Sequence, residues 1–191
     1  NHGAFAAHLP EQALNGLSNH PAIDYIEPDV KRYPMAEVTP YGIGMVQADQ
    51  LSDAGAGGIT VCIIDSGYNL GHEDLPSGIN VTGSDDIGGA GPWATPEGVH
   101  GSHVAGTIAA LANNDLGVVG INPNGILNLH IVRVFDAAGW AYSSSLVGAL
   151  DECEAAGANV INMSLGGSLK SRFEDRAFAD ADGRGVLSIA A

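Results

Sequence analysis

The chain has 191 residues, 22 Asp+Glu against 7 Lys+Arg, and a formal net charge of −15. That length suits one domain, or one domain with a small extension, and 45% hydrophobic residues exclude a disordered chain. The acidity, with pI ≈ 4.4, argues against nucleic acid and anionic membranes as partners, since phosphates demand basic patches. No apolar run approaches the ~18 residues that a membrane-spanning helix needs.

The charge is unevenly placed. From Tyr33 to Val132 there are ten acids and no Lys or Arg. Such acids form a solvated surface or sites for cations such as calcium. Two cysteines, Cys62 and Cys153, are too few for a disulfide scaffold but permit one bridge, which would suit an oxidising compartment. The chain opens at Asn1 with neither Met nor a signal-like segment, so the start of the gene product is expected to be missing.

Residues 1–29 read as a separate piece. Glu11 to Leu17 has weak helical character, His20-Pro21 punctuates it, and Ala22 to Ile26 alternates as a strand. Val30 to Thr39 reads as an exposed connector. Met45 to Ala54 is a short helix candidate. Ile59 to Ile64 is a continuous apolar, β-branched run between Gly57-Gly58 and Asp65-Ser66-Gly67, the pattern of a strand buried on both faces. Gly83 to Pro96 reads as loop, and His103 to Ala112 as a buried helix. Leu127 to Phe135 is a strand. Ser143 to Ala156 is an amphipathic helix with Leu146, Val147, Leu150 and Cys153 on one face and an N-cap from Ser143 to Ser145. Asn159 to Leu165, Arg172 to Asp182 and Val186 to Ala191 follow as strand, helix and strand. Strands alternating with helices predict an α/β fold with a parallel sheet. The last strand stops without the crossover helix that usually follows, so the chain reads as a fragment.

Parallel α/β sheets bind ligands beyond the C-terminal ends of their strands. Asp65 stands at such an end, where it could be a cap or a metal ligand. His100-Gly101-Ser102-His103 places one histidine before a helix and the other at its start. Taken alone, this pair is two polar loop residues or a metal pair.

Together these residues carry a resemblance. Ile63-Ile64-Asp65-Ser66-Gly67 and His100-Gly101-Ser102-His103-Val104-Ala105-Gly106-Thr107 resemble the Asp and His motifs of subtilisin-like serine proteases, the subtilases. Val160-Ile161-Asn162-Met163-Ser164-Leu165-Gly166-Gly167 is similar to a third segment of that family, and the likeness is continuous from about Ala36 to Ala191. It implies a secreted serine endopeptidase with a three-layer α/β/α catalytic domain. Asp65 would orient and stabilise the imidazole, and His100 would be general base and then general acid. His103 matches a structural position. Ser164, Leu165 and Gly166 would form one wall of the substrate cleft and Gly139, Trp140 and Ala141 the other, with a protein or peptide substrate added between them as a strand. Trp140 stands where the family often has a small residue and would narrow the pocket for the fourth substrate residue upstream of the cut. The family's oxyanion Asn and nucleophilic Ser, the latter in a Gly-Thr-Ser-Met-like motif, have no counterpart in these 191 residues. The chain alone is therefore expected to be inactive.

The resemblance divides the chain at residue 35. Residues 1–35 resemble the end of an α+β propeptide that inhibits its own enzyme, and 36–191 the first part of the catalytic domain. Processing is then expected between Met35 and Ala36. Glu37, Asp74, Asn114, Leu116 and Val118 match a family calcium site, which would be complete only after processing. Cys62 on the central strand and Cys153 on the neighbouring helix fit either a bridge or two buried free thiols. The family reading implies a monomer, with no nucleic acid or membrane partner. Two other classes remain: a metal-dependent hydrolase or metal-binding module using Asp65, His100 and His103, and a non-catalytic binding protein on a protease fold.

Overall fold

The apolar run beginning at Ile59 becomes the middle of a parallel sheet. The structure, a computed structural model, describes residues 6–29, 36–85 and 87–191. The chain divides into two units, Asn1–Pro34 and Met35–Ala191. In the second unit the strands are β1 (Thr60–Asp65), β2 (Val81–Ser84), β3 (Asn128–Arg133), β4 (Val160–Met163) and β5 (Leu187–Ala190). Their order is β2-β3-β1-β4-β5, and all four pairings are parallel. Helices α3 (His100–Ala109), α4 (Ser143–Ala155) and α5 (Arg172–Gly183) lie between the strands in sequence, as parallel pairing requires.

The side chains of β1 alternate between two cores, which makes three layers. Cys62 and Ile64 join Val132, Leu150, Cys153, Ile161 and Ala181 in the core beneath α4 and α5. Ile63 joins Tyr68, Leu75, Ala105, Ala109, Leu129 and Ile131 in the core beneath α3. Full burial on both faces explains why β1 reads as an unbroken apolar run. Cys62 and Cys153 are bridged, with Cα atoms 5.7 Å apart, which settles the choice between a disulfide and free thiols. Helix α5 begins with a side-chain cap, Ser171 Oγ accepting from the Glu174 amide, the Ser-x-x-Glu pattern of a capping box.

Several elements depart from the sequence reading. Helix α2 covers Tyr41–Met45 rather than starting at Met45, and a 3₁₀ turn follows at Ala48–Gln50. Pro40, extended at ψ 146°, is the N-cap residue from which the helix starts, and Gln47, at φ 58°, separates the two turns. Strand β2 lies in a stretch read partly as loop. Its Gly83 marks close packing, since a Cβ there would stand 2.4 Å from the Trp93 ring. Helix α3 runs three residues earlier than the expected span, so His100 begins it instead of preceding it. It ends where Ala110 turns extended. Helix α4 has Tyr142 as N-cap residue and no side-chain cap bond, so the serines at 143–145 do not cap it. Among the described residues of the first unit, α1 (Glu11–Leu17) forms as expected, whereas Ala22–Ile26 forms no strand. Alternation needs a partner ladder, and none is present there among the described residues.

A partly buried polar chain ties the sheet edge to α4. The His130 ring on β3 is 2.9 Å from Thr82 Oγ1 through Nδ1 and 3.1 Å from Ser84 Oγ through Nε2, and Ser84 Oγ donates to Glu152 Oε2 at 2.8 Å. Burial holds the His130 pKa below the ordinary histidine value, with the Glu152 carboxylate opposing that shift. The folded state therefore prefers neutral His130, whereas the unfolded chain protonates it near pH ~6.5. This contribution to stability is complete above that pH and is lost as pH falls toward the lowered folded-state value. Denaturant unfolding between pH 7.5 and 5 should show His130→Gln with a flatter stability profile than the parent. Identical slopes would contradict this.

Candidate active site

Asp65 is the last residue of β1 and is fully buried. Its Oδ1 accepts from the Ser66 amide at 2.7 Å and lies 2.8 Å from His100 Nδ1, with Oδ2 at 3.0 Å from the same nitrogen. A carboxylate held on Nδ1 fixes the tautomer that leaves Nε2 as the acceptor. The His100 side chain is 59% exposed. The pair thus combines a buried, oriented carboxylate with an imidazole whose free nitrogen can take and return a proton.

Local backbone bonds hold this pair across 35 residues of sequence. Ser66 Oγ accepts from the Gly101 amide at 3.1 Å, Ser66 O accepts from Glu97 N at 2.8 Å, and Ser102 Oγ accepts from Asn69 N at 2.9 Å. Gly101 is required by space. A Cβ there would stand 2.2 Å from Gly67 O and 3.1 Å from Asp65 Oδ1, so any side chain would push α3 off the β1 turn. Close backbone packing at Gly101 is what the glycines of that motif imply, whereas the roles of Ser66 and Ser102 have no signal in the sequence beyond their place inside the motifs.

The two expected walls flank Asp65. Strand β1 lies between β3 and β4, and the Gly139-Trp140-Ala141 segment follows β3 while Ser164-Leu165-Gly166 follows β4. Ile63 faces Asn162 in the β1–β4 register, so Ser164 and Asp65 each stand two residues beyond one paired step. Asn162 Nδ2 donates to Ser164 Oγ at 3.1 Å. A cleft of about 430 Å³ is lined by Asp65, Glu97, Val99, His100, Phe135, Asp136 and Gly139, among others. Trp140 stacks edge-on against Tyr142, ring centroids 4.7 Å apart, beside a pocket of about 70 Å³ that Ala141 also lines.

The comparison with known proteins decides the family. Residues 56–191 match the subtilase family, Peptidase S8. The chain belongs to that family. It is 37% identical over 185 residues to an alkaline protease of Alkalihalobacillus alcalophilus, covering 96% of this chain and 47% of that protein. It is 36% identical over 191 residues to subtilisin E of Bacillus subtilis, covering 98% and 48%. The crystal structure of a psychrophilic subtilisin-like protease, Apa1, from the Antarctic Pseudoalteromonas sp. AS-11 matches with TM-score 0.74 and 53% identity, over 81% of this chain and 36% of that one. The chain spans about half the length of the curated relatives it matches.

In this subtilase the metal-hydrolase arrangement does not form. His103 is exposed on α3, and no group of three or more His, Cys, Asp or Glu among the described residues could hold a metal ion. The residues matched to a calcium site do come together. Asp74, buried, accepts from Asn114 Nδ2 at 2.9 Å through Oδ1 and from the Val118 amide at 2.9 Å through Oδ2. Glu37 Oε2 accepts from the Asn114 amide at 3.2 Å, and Asn114 Oδ1 accepts from Leu116 N at 3.0 Å. Val38, beside Glu37, bridges Val118 in parallel. Gly117, at φ +48°, leaves room for no Cβ, which would fall 2.1 Å from Asp74 Oδ2. A buried carboxylate with only neutral donors, a second carboxylate and no basic side chain nearby in sequence make an oxygen set that fits a hard cation. Ala36 is exposed, whereas Met35, the other residue of the expected cut, lies outside the described residues, as do residues 30–34 of the connector.

Proposed function

We propose that the chain is the Asp- and His-bearing part of a secreted serine endopeptidase that hydrolyses peptide bonds in proteins. The observation that carries this reading is the Asp65–His100 pair, at 2.8 Å, at the end of the central strand of a subtilase sheet. In the proposed reaction a serine hydroxyl attacks the scissile carbonyl carbon while His100 Nε2 takes its proton. That proton passes to the leaving amine as the peptide C–N bond breaks, and a water then repeats the sequence on the acyl-enzyme. Asp65 stays ionised and holds the imidazolium that forms between the steps. Ser164-Leu165-Gly166 and Gly139-Trp140-Ala141 pair with the extended substrate backbone, and Trp140 with Tyr142 narrows the pocket four residues upstream of the cut.

The nucleophilic serine and oxyanion Asn are proposed to come from sequence outside these 191 residues. One observation supports this: no serine here stands in a Gly-Thr-Ser-Met-like motif. Residues 1–35 are proposed to be the tail of an inhibitory propeptide, cut between Met35 and Ala36. The disulfide supports an extracellular setting, since such bonds persist in oxidising compartments. No helix among the described residues is long and apolar enough to cross a membrane. The 191-residue chain should show no turnover of a peptide ester. The full-length protein should cleave the ester, react with a serine-directed phosphonate, and begin at Ala36 after processing. Turnover by the 191-residue chain, or an inert full-length protein, would overturn the corresponding part.

Calcium is proposed to be held by the side chains of Glu37, Asp74 and Asn114 and the carbonyls of Leu116 and Val118. Bound there it supplies structural cross-linking and no chemistry. A cation that binds only the folded state stabilises it by about 3–4 kcal/mol at 100–1,000 times its dissociation constant. Chelator should therefore lower Tm by several degrees, and Asp74→Asn should abolish the response. A Tm indifferent to chelator refutes the site.

A further inference from the structure

Between Arg32 and Lys170 the chain has a single basic residue, Arg133. It ends β3, directly opposite Asp65 in the β1–β3 register. Its side chain is only 9% exposed, although its one ion-pair partner among the described residues, Glu97, is about half exposed and 3.5 Å away. The guanidinium is used mainly on carbonyls. Nε donates to Phe135 O at 3.1 Å, and Nη1 donates to Pro92 O at 3.4 Å and to Thr95 O. Two glycines leave it this slot: a Cβ on Gly67 would lie 3.3 Å from Arg133 Cδ, and one on Gly91 3.4 Å from Nη1.

These contacts meet at the segment that delivers His100. Residues 91–98 form no helix or strand, so their carbonyls have no ladder to satisfy them. The segment is joined to the Asp65 turn by Tyr68 N donating to Trp93 O and Glu97 N to Ser66 O, both at 2.8 Å. Three residues after Glu97 stands His100. Arg133 therefore supplies the third side of a frame whose other sides are the Asp65 turn and the Phe135 edge of the cleft. A planar fork suits this task, because its donors point to Phe135, Pro92 and Thr95 together. A lysine ammonium is one point charge and cannot span them.

We infer that Arg133 is a positioning residue for His100: it clamps the 92–97 segment and so sets where the imidazole stands over Asp65. This rests on the reading of Asp65 and His100 as the catalytic pair. Misplacement of a reacting group by about 1 Å costs about 10²-fold in rate, which sets the scale of the test. In the full-length protein, Arg133→Lys and Arg133→Met are expected to lower kcat by about 10–100-fold per folded molecule with KM within about threefold of the parent. A merely structural residue would lower Tm and leave kcat and KM unchanged in the folded fraction, and that result overturns the inference. So does full rescue by Arg133→Lys, which keeps the charge without the fork. If the Met variant fails to fold, the Lys variant carries the test. A second readout separates this inference from the functional reading: the downfield proton resonance of His100 Nδ1–H in the full-length protein. It should shift or broaden in Arg133→Lys even if the parent cleaves no peptide, and an unshifted resonance refutes the clamp.

Discussion

Replacing His100 with Ala in the full-length protein is expected to lower kcat by about 10⁶-fold, and Asp65→Asn by about 10⁴-fold. Subtilisin is the source of the first figure and the scale for the second, so the magnitudes are carried over from a relative, while the geometry accounts for their order. Without His100 the cleft loses the imidazole that Asp65 orients to take the nucleophile's proton. Without the Asp65 carboxylate the imidazole remains, but Asn offers an amide where Nδ1–H now meets two carboxylate oxygens at 2.8 and 3.0 Å. The ring then flips to the wrong tautomer and loses its counter-charge. The Asn variant changes little volume, so CD and Tm should stay near the parent while steady-state rates on a peptide p-nitroanilide fall. Parent-like kcat in either variant would remove the pair from catalysis.

Opening the Cys62–Cys153 bridge should cost about 2–4 kcal/mol of stability. The bond closes a loop with a sequence separation of 91, and chain entropy for a loop near 100 residues gives about 4.7 kcal/mol as an upper value. Both cysteines are fully buried in the core between the sheet and α4, so Cys62→Ala with Cys153→Ala adds a small packing loss. For a protein of this size the expected fall in Tm is roughly 4–16 °C. Calorimetry of the parent and the double variant, with and without reductant, checks it. An unchanged Tm would mean that the bond contributes nothing to the folded state.

The strand and helix order was readable because each signal is local. Val61 to Ile64 is apolar on both faces, and Leu146, Val147, Leu150 and Cys153 repeat at helical spacing on α4. Asp65 and His100 are legible for a different reason: their two motifs, 35 residues apart, resemble those of the subtilases, whereas each residue alone leaves a cap, a loop residue or a metal ligand open. What failed was equally local in cause. Val81–Ser84 is four residues with an internal glycine, too short to show a period, and its pairing with β3 is supplied by residues more than forty positions away. Ala22–Ile26 has the right alternation and lacks a partner strand among the described residues.

Long-range contacts carry the rest. The bridge between Cys62 and Cys153, the hydrogen-bond chain through Thr82, His130, Ser84 and Glu152, and the grip of Arg133 on Pro92 and Thr95 each join residues on different elements. Apart from the two cysteines, whose pairing the sequence leaves open, none has a spacing or a composition that marks it in the chain. Side-chain periodicity and turn chemistry act over a few residues, so they name strands, helices and motif glycines in advance. Which buried polar groups meet depends on how those elements pack, and at Arg133 that packing puts the one Lys or Arg between Arg32 and Lys170 against the carbonyls of Pro92, Thr95 and Phe135 rather than on the surface.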